Sequence, residues 1–146
     1  MAENLAALLR AAYAAECMFL DILKKYLEAA QPHDVRIRLG EHLVETQWQA
    51  NLLGACLEFQ GANKDIPDAQ ACTLAAAAGK TGLLAIKRFK IDLYKKIIAE
   101  ARKQRAAEVI QACREILEQE RAMAEWIEDY PFAIAAPAPV YRTAQR

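Results

Sequence analysis

The sequence predicts an all-α protein, a four-helix bundle, and three observations carry that reading. Alanine, leucine, glutamate and lysine abound, whereas glycine and proline number five each and β-branched runs are scarce, a balance that favours helix over sheet. Apolar residues recur at spacings of three and four along four separate segments, as on helices with one buried face. The connections between those segments read short, long, short, which suits two antiparallel hairpins joined by a crossover. At 146 residues the chain has single-domain length and can bury about 70% of its unfolded surface, so a core needs no staples.

The first helix is expected from Glu3 to Ala29, with no Gly or Pro inside it. Gln31-Pro32 ends it, because proline disfavours helical geometry in the preceding residue. The second begins at His33 or Asp34, with Asp34 a candidate N-cap, and runs to Phe59, where Gln60-Gly61 supplies the stop. Its inward stripe is Val35, Leu39, His42, Thr46, Gln49, Leu53 and Leu57; polar side chains fill its centre and Glu45 stands on its shoulder. Residues 61 to 80 hold two glycines and a proline and form the long connection, with a short helix within DAQACTLAAAA as an option.

The third helix, Thr81 to Arg102, has the stripe Leu83, Ile86, Phe89, Leu93, Ile97 and Ala101. Lys90 lies about 40° from its centre, while Lys87, Arg88, Lys95 and Lys96 fall on outer and flanking faces and are read as solvated. The fourth, Ala106 to Glu128, follows a turn near Lys103 to Arg105 that no Gly or Pro marks. Its stripe is Ile110, Cys113, Leu117, Glu120, Ala124 and Ile127. After Asp129 the segment YPFAIAAPAPVYRTAQR carries three of the five prolines and cannot be helix throughout. The chain therefore divides into a bundle, 1–129, and a Pro/Ala-rich tail, 130–146, lying along its own bundle or on a neighbouring subunit.

One residue of the first helix breaks its own pattern. Glu16 sits within about 40° of Leu5, Leu9, Leu20, Leu23 and Leu27 on a helical wheel, and an ionised carboxylate buried without a partner would sooner take up a proton. Counting from the turns supplies company. Glu16 precedes the first turn by about 15 residues and Glu45 follows it by about 13; Lys90 and Glu120 stand about 14 and 16 residues from the other turn. All four fall near mid-length, with His42 one helical turn from Glu45, so Glu16, His42, Glu45 and Glu120 are expected to share an interior site with Lys90 at its level.

Charge and composition narrow the partners. Lys plus Arg equals Asp plus Glu, 19 each, which points to neither nucleic acid nor an anionic membrane. No apolar run approaches the roughly 20 residues needed to span a bilayer, and no signal-peptide pattern opens the chain, so the expected setting is cytoplasmic. Cys17, Cys56, Cys72 and Cys113 form no C-x-x-C pair; they read as free thiols, not as a zinc or redox motif. Phosphate loops, nucleophile elbows and triad spacings are absent, so no catalytic residue is assigned. The apolar tail favours a homodimer or another homo-oligomer.

Inward carboxylates from several helices and one long crossover resemble the ferritin-like proteins, which hold two iron or manganese ions in the bundle. More narrowly, AAYAAECMFLDIL followed by GEHLVETQWQANLL is similar to the YciF-type stress-response ferritin-like family, through the A-E segment at Glu16 and the run His42, Glu45, Thr46 and Gln49. The resemblance covers residues 3 to 128 and implies Glu16, His42, Glu45 and Glu120 as ligands of iron or manganese. Departures from it are equally specific. A di-metal bundle needs two Glu-x-x-His pairs, whereas this chain has His42-x-x-Glu45 in reversed order, Glu120-x-x-Met123, and Lys90 where an inward glutamate is expected. Two readings follow: a metal-binding bundle, or a metal-free relative acting by association in which Lys90 neutralises the buried carboxylates.

Overall fold

The computed structural model describes residues 2–62 and 79–137. Four helices occur in it: α1 (Ala2–Glu28), α2 (His33–Phe59), α3 (Gly79–Lys103) and α4 (Ala107–Asp129). Helix α1 packs on α2 and α3, and α4 packs on α2 and α3, so α2 and α3 face each other only across the bundle diagonal. The hydroxyl of Tyr26, near the end of α1, donates to the carbonyl of Gly79, the first residue of α3 (2.9 Å). Helices α2 and α3 therefore start at the same end of the bundle and run parallel. The path of the crossover, the short helix considered within it, Cys72 and residues 138–146 lie outside the described residues.

The ends of the helices have local causes. At the close of α2, Gly61 adopts φ +68°, and the amides of Gly61 and Ala62 reach back to the carbonyls of Glu58 and Leu57 (both 2.9 Å). This is a Schellman closure, with glycine at the left-handed position. The same closure ends α3, where Arg105 takes φ +54° and the amides of Arg105 and Ala106 bond Arg102 and Ala101. A turn that no glycine marks is thus built on a left-handed arginine. The start of α2 differs from expectation. Pro32 occupies the N-cap and no side chain caps the helix; Asp34 lies inside the first turn, where its carboxylate accepts from the amide of Val35 and the hydroxyl of Tyr130.

Two apolar layers fill the interior. One, at the α1 N-terminal end, centres on Leu5, Leu9, Leu53, Leu57, Ile97 and Ile116; the other, at the opposite end, centres on Tyr26, Leu39, Leu83, Met123 and Ile127. Cys56 and Cys113 are buried free thiols in the first layer, pushed above the usual thiol range by burial. The first part of the tail lies on its own bundle: Tyr130 and Ile134 are buried, and the Gln31 amide both donates to the Ala135 carbonyl (2.8 Å) and accepts from its amide (2.9 Å). Among the described residues, no helix is long and apolar enough to cross a membrane.

The inner face of α3 is turned from the expected one. Leu83, Ile86, Lys87, Lys90, Tyr94 and Ile97 are buried, Phe89 is exposed and Leu93 only half-buried. Lys87, read from hydropathy as solvated, is 1% exposed. Hydropathy drew the stripe toward Phe89, which instead meets Phe19 edge-on at 6.4 Å between ring centroids. The rotation brings Lys87 inward beside Lys90, so that two ammonium groups answer the buried carboxylates.

Candidate functional site

Between the two apolar layers lies a polar one, contributed by all four helices. Helix α1 supplies Glu16; α2 supplies His42, Thr46 and Gln49; α3 supplies Lys87, Lys90 and Tyr94; α4 supplies Glu120, and each of these side chains is buried. Spacing explains why each helix delivers its share. Lys87 and Lys90 stand at i and i+3, with Tyr94 four further on, and His42, Thr46 and Gln49 follow the same three-four rhythm, so each set shares one face.

Lys90 joins the two carboxylates. Its ammonium lies 2.7 Å from Glu16 Oε1 and 3.0 Å from Glu120 Oε1, donates to Gln49 Oε1 at 2.9 Å, and stands 5.4 Å from the centre of the Phe19 ring, within cation–π range. Glu16 Oε1 lies outside hydrogen-bonding angles to every donor, so its contact with Lys90 is an ion pair by distance. The other oxygen, Oε2, accepts from the Tyr94 hydroxyl.

Lys87 occupies the rest of the centre. It donates to Glu120 Oε1 at 2.9 Å and lies 2.6 Å from His42 Nε2, while His42 Nδ1 lies 2.8 Å from Glu45 Oε1. An ammonium can only donate, so Nε2 accepts and Nδ1 carries the proton toward Glu45: the imidazole is neutral. Gln49 donates to Glu120 Oε2 at 3.0 Å, and Thr46 bonds back to the His42 carbonyl at 2.8 Å. Two ammonium groups thus balance two carboxylates, with His42 and Tyr94 uncharged.

The acid–base properties follow from this arrangement. Burial alone would raise the Glu120 carboxyl, but Lys87 and Lys90 outweigh it and hold it far below the usual carboxylate range. Glu16, with one ammonium partner, is pushed upward by burial despite Lys90. Burial lowers Lys87 to about 8 against the pull of Glu120, whereas Lys90, between Glu120 and Glu16, is held above its ordinary value although burial opposes it. Burial and the adjacent Lys87 bring His42 down to about 4. Tyr94 is driven well up by burial and by the Glu16 carboxylate.

Of the residues singled out from the sequence, Glu16, His42, Glu120 and Lys90 meet at the centre. Glu45 stands at the edge with its side chain 31% exposed, held by His42 and 3.7 Å from Arg38, and the His42 hydrogen bond keeps its carboxyl low. Sequence reasoning placed Gln49 on the inner face but missed Lys87 and the polar role of Tyr94. The signal available for Lys87 was its i, i+3 spacing from Lys90, which places both on one face.

The donor set does not suit a metal. Glu120 Oε1 is taken by two lysines, Glu120 Oε2 by Gln49, Glu16 by Lys90 and Tyr94, and His42 Nε2 by Lys87. Among the described residues, no group of three or more His, Cys, Asp or Glu side chains is placed to hold an ion.

Four helices that bring Glu16, His42 and Glu120 together at mid-depth, with α2 and α3 parallel on the diagonal, define a ferritin-like bundle. The chain belongs to the family described as domain of unknown function DUF892, whose model matches residues 1–82 and 71–136; the YciF-type resemblance read from Glu16 and the His42 run is borne out. A protein from Xanthomonas campestris pv. campestris shares 28% identity over 88% of both chains, with a TM-score of 0.75. YcfI from Rhodopseudomonas palustris, described as a candidate structural protein, matches at 22% identity and TM-score 0.78 over 90% of this chain and 96% of its own. A dodecameric thioferritin, the bacterioferritin-related protein from Bacteroides fragilis, matches at 17% identity and TM-score 0.72, over 89% and 85% of the two chains. No curated protein matches.

Proposed function

We propose that this protein is an ion-paired, metal-free member of the ferritin-like class that acts as a structural or interaction protein. The observation that supports this reading is the pair Lys87-x-x-Lys90 on α3. A di-metal bundle draws a Glu from each of two helices and an i, i+3 ligand pair from each of the others; here one i, i+3 pair is two lysines, whose ammonium groups lie between the carboxylates. A divalent cation in their place would face two like charges, and Glu120 and His42 Nε2 would each have to give up a lysine. The competing reading keeps Glu16, His42, Glu45 and Glu120 as ligands of iron or manganese and requires both lysines to swing out of the core.

Association supplies the activity that such a bundle retains. We propose a homo-oligomer with a dimer as its smallest unit, acting in the cytoplasm, where the free thiols stay reduced, and serving the stress response that the family resemblance implies. The dodecameric Bacteroides neighbour and the structural description of YcfI accord with association on this fold.

Metal analysis of protein purified without chelator and again after reconstitution with iron(II), manganese(II) or zinc tests the proposal. It expects far less than one ion per chain in every case; stoichiometric iron or manganese overturns it. Lys90→Glu provides the converse test. That variant should lose stability and recover part of it on adding a divalent ion, so a variant as stable as the parent and indifferent to metal counts against Lys90 as the internal counter-charge.

A further inference from the structure

Six large apolar side chains are exposed among the described residues, and four of them, Ile37, Val44, Trp48 and Phe59, belong to α2. With the exposed Ala55 they recur at intervals of seven, four, seven and four residues. At roughly 100° per residue that spacing confines them to a strip about 60° wide, running about 33 Å along the helix. The strip points away from the inner face carrying His42 and Gln49. Helix α2 thus carries an apolar strip on its outer side, opposite an inner face whose centre is polar. Among the described residues nothing covers this strip.

We infer that the outer face of α2 is a homodimer interface, in which α2 packs antiparallel on the α2 of a second copy about a two-fold axis at Trp48. This deepens the proposed reading that the protein works by association, and it rests on that reading. The pattern is self-complementary. When Trp48 meets Trp48 of the partner subunit, Ile37 stands opposite Phe59 of the partner subunit, and Val44 stands opposite Leu52 of the partner subunit. Every large apolar residue of the strip finds another, as an isologous interface demands.

Charge and area agree with a second copy as the occupant. The chain has no net charge, so two copies do not repel, and Glu41 is the one charged residue within the strip. The four large side chains are between 40% and 67% exposed, which amounts to about 400 Å² of apolar surface per copy. With Leu52, Ala55 and the polar rim, two copies bury on the order of 1,000 Å², the lower bound for a specific interface. Glu45 lies on the flank of the same face, so the second copy also closes a half-exposed end of the buried network.

Charge reversal at the two-fold position tests the assignment on the full chain. Trp48→Glu and Trp48→Lys each place like charges face to face, whereas an equimolar mixture of the two places opposite charges there. Analytical ultracentrifugation between 1 and 100 µM (the working range for such constants being about micromolar) should show the parent as a dimer or a multiple of it. Each variant alone should weaken that dimer by roughly 100-fold, and mixing should restore it. Unchanged helical circular dichroism of the separate variants excludes misfolding, because Trp48 contributes to no described core layer. A parent that stays monomeric overturns both this interface and the association reading. An oligomer indifferent to either variant overturns the α2 interface alone.

Discussion

Replacing Lys90 by methionine removes the cation that joins Glu16 to Glu120. At distances of 2.7 and 3.0 Å and an effective dielectric of about 20, each attraction is worth about 5–6 kcal/mol. Against that loss stands the several kcal/mol of ammonium desolvation that the variant no longer suffers. Glu120 keeps Lys87 and Gln49, but Glu16 is left with Tyr94 alone in a dry layer. The expected net destabilisation is about 3–5 kcal/mol, smaller at pH 5 than at pH 7 because Glu16 can escape by taking up a proton. Adding Glu16→Gln to Lys90→Met removes the orphaned charge while keeping an acceptor for Tyr94. The double variant should then lie within about 2 kcal/mol of the parent, with a coupling energy of about 3 kcal/mol. Urea denaturation followed by circular dichroism, at one fixed protein concentration because association adds to stability, gives all four corners of the cycle. Single-variant losses that simply add would refute the claim that Lys90 is there to neutralise Glu16.

Acid should weaken the protein through His42. His42 takes up a proton near pH 6.5 when unfolded but only at about 4 when folded, so between those values the unfolded chain binds the extra proton and stability falls as pH drops, by about 3 kcal/mol in all. Denaturation midpoints between pH 7 and pH 4 should show this slope, and His42→Gln should flatten it; an unchanged slope in that variant would assign it elsewhere. Arg105→Gly should stabilise the chain by about 1 kcal/mol, because only glycine accepts the left-handed turn between α3 and α4 without strain. That corresponds to a thermal midpoint about 3 °C higher, and a lower midpoint would show that the arginine contributes more than its backbone strain costs.

Helix existence and extent were legible because they rest on local rules: periodicity, the Gln31-Pro32 break and the Gly61 stop act within a few residues. Depth was legible too, since rise per residue is constant and the turns give common origins; that is why Glu16, His42, Lys90 and Glu120 could be brought to one level from text alone. Rotation about a helix axis was not. For α3 the choice between burying Phe89 and burying Lys87 depends on what the other three helices present, and hydropathy scores each side chain as though its surroundings were apolar. In the folded chain the surroundings of Lys87 are Glu120 and His42, and a paired ammonium is tolerated where an isolated one is not.

By itself, then, the amino-acid order determined an all-α chain, its four helices, its family resemblance, and the presence of carboxylates at the middle of a leucine-lined interior. Only the tertiary structure decided what those carboxylates meet. Glu16 lies 26 positions before His42, 74 before Lys90 and 104 before Glu120 in the sequence, and no local preference encodes contacts across such separations. Burial makes an unpartnered charge so costly that the four helices settle in the rotation that pairs two ammonium groups with two carboxylates and leaves the imidazole neutral.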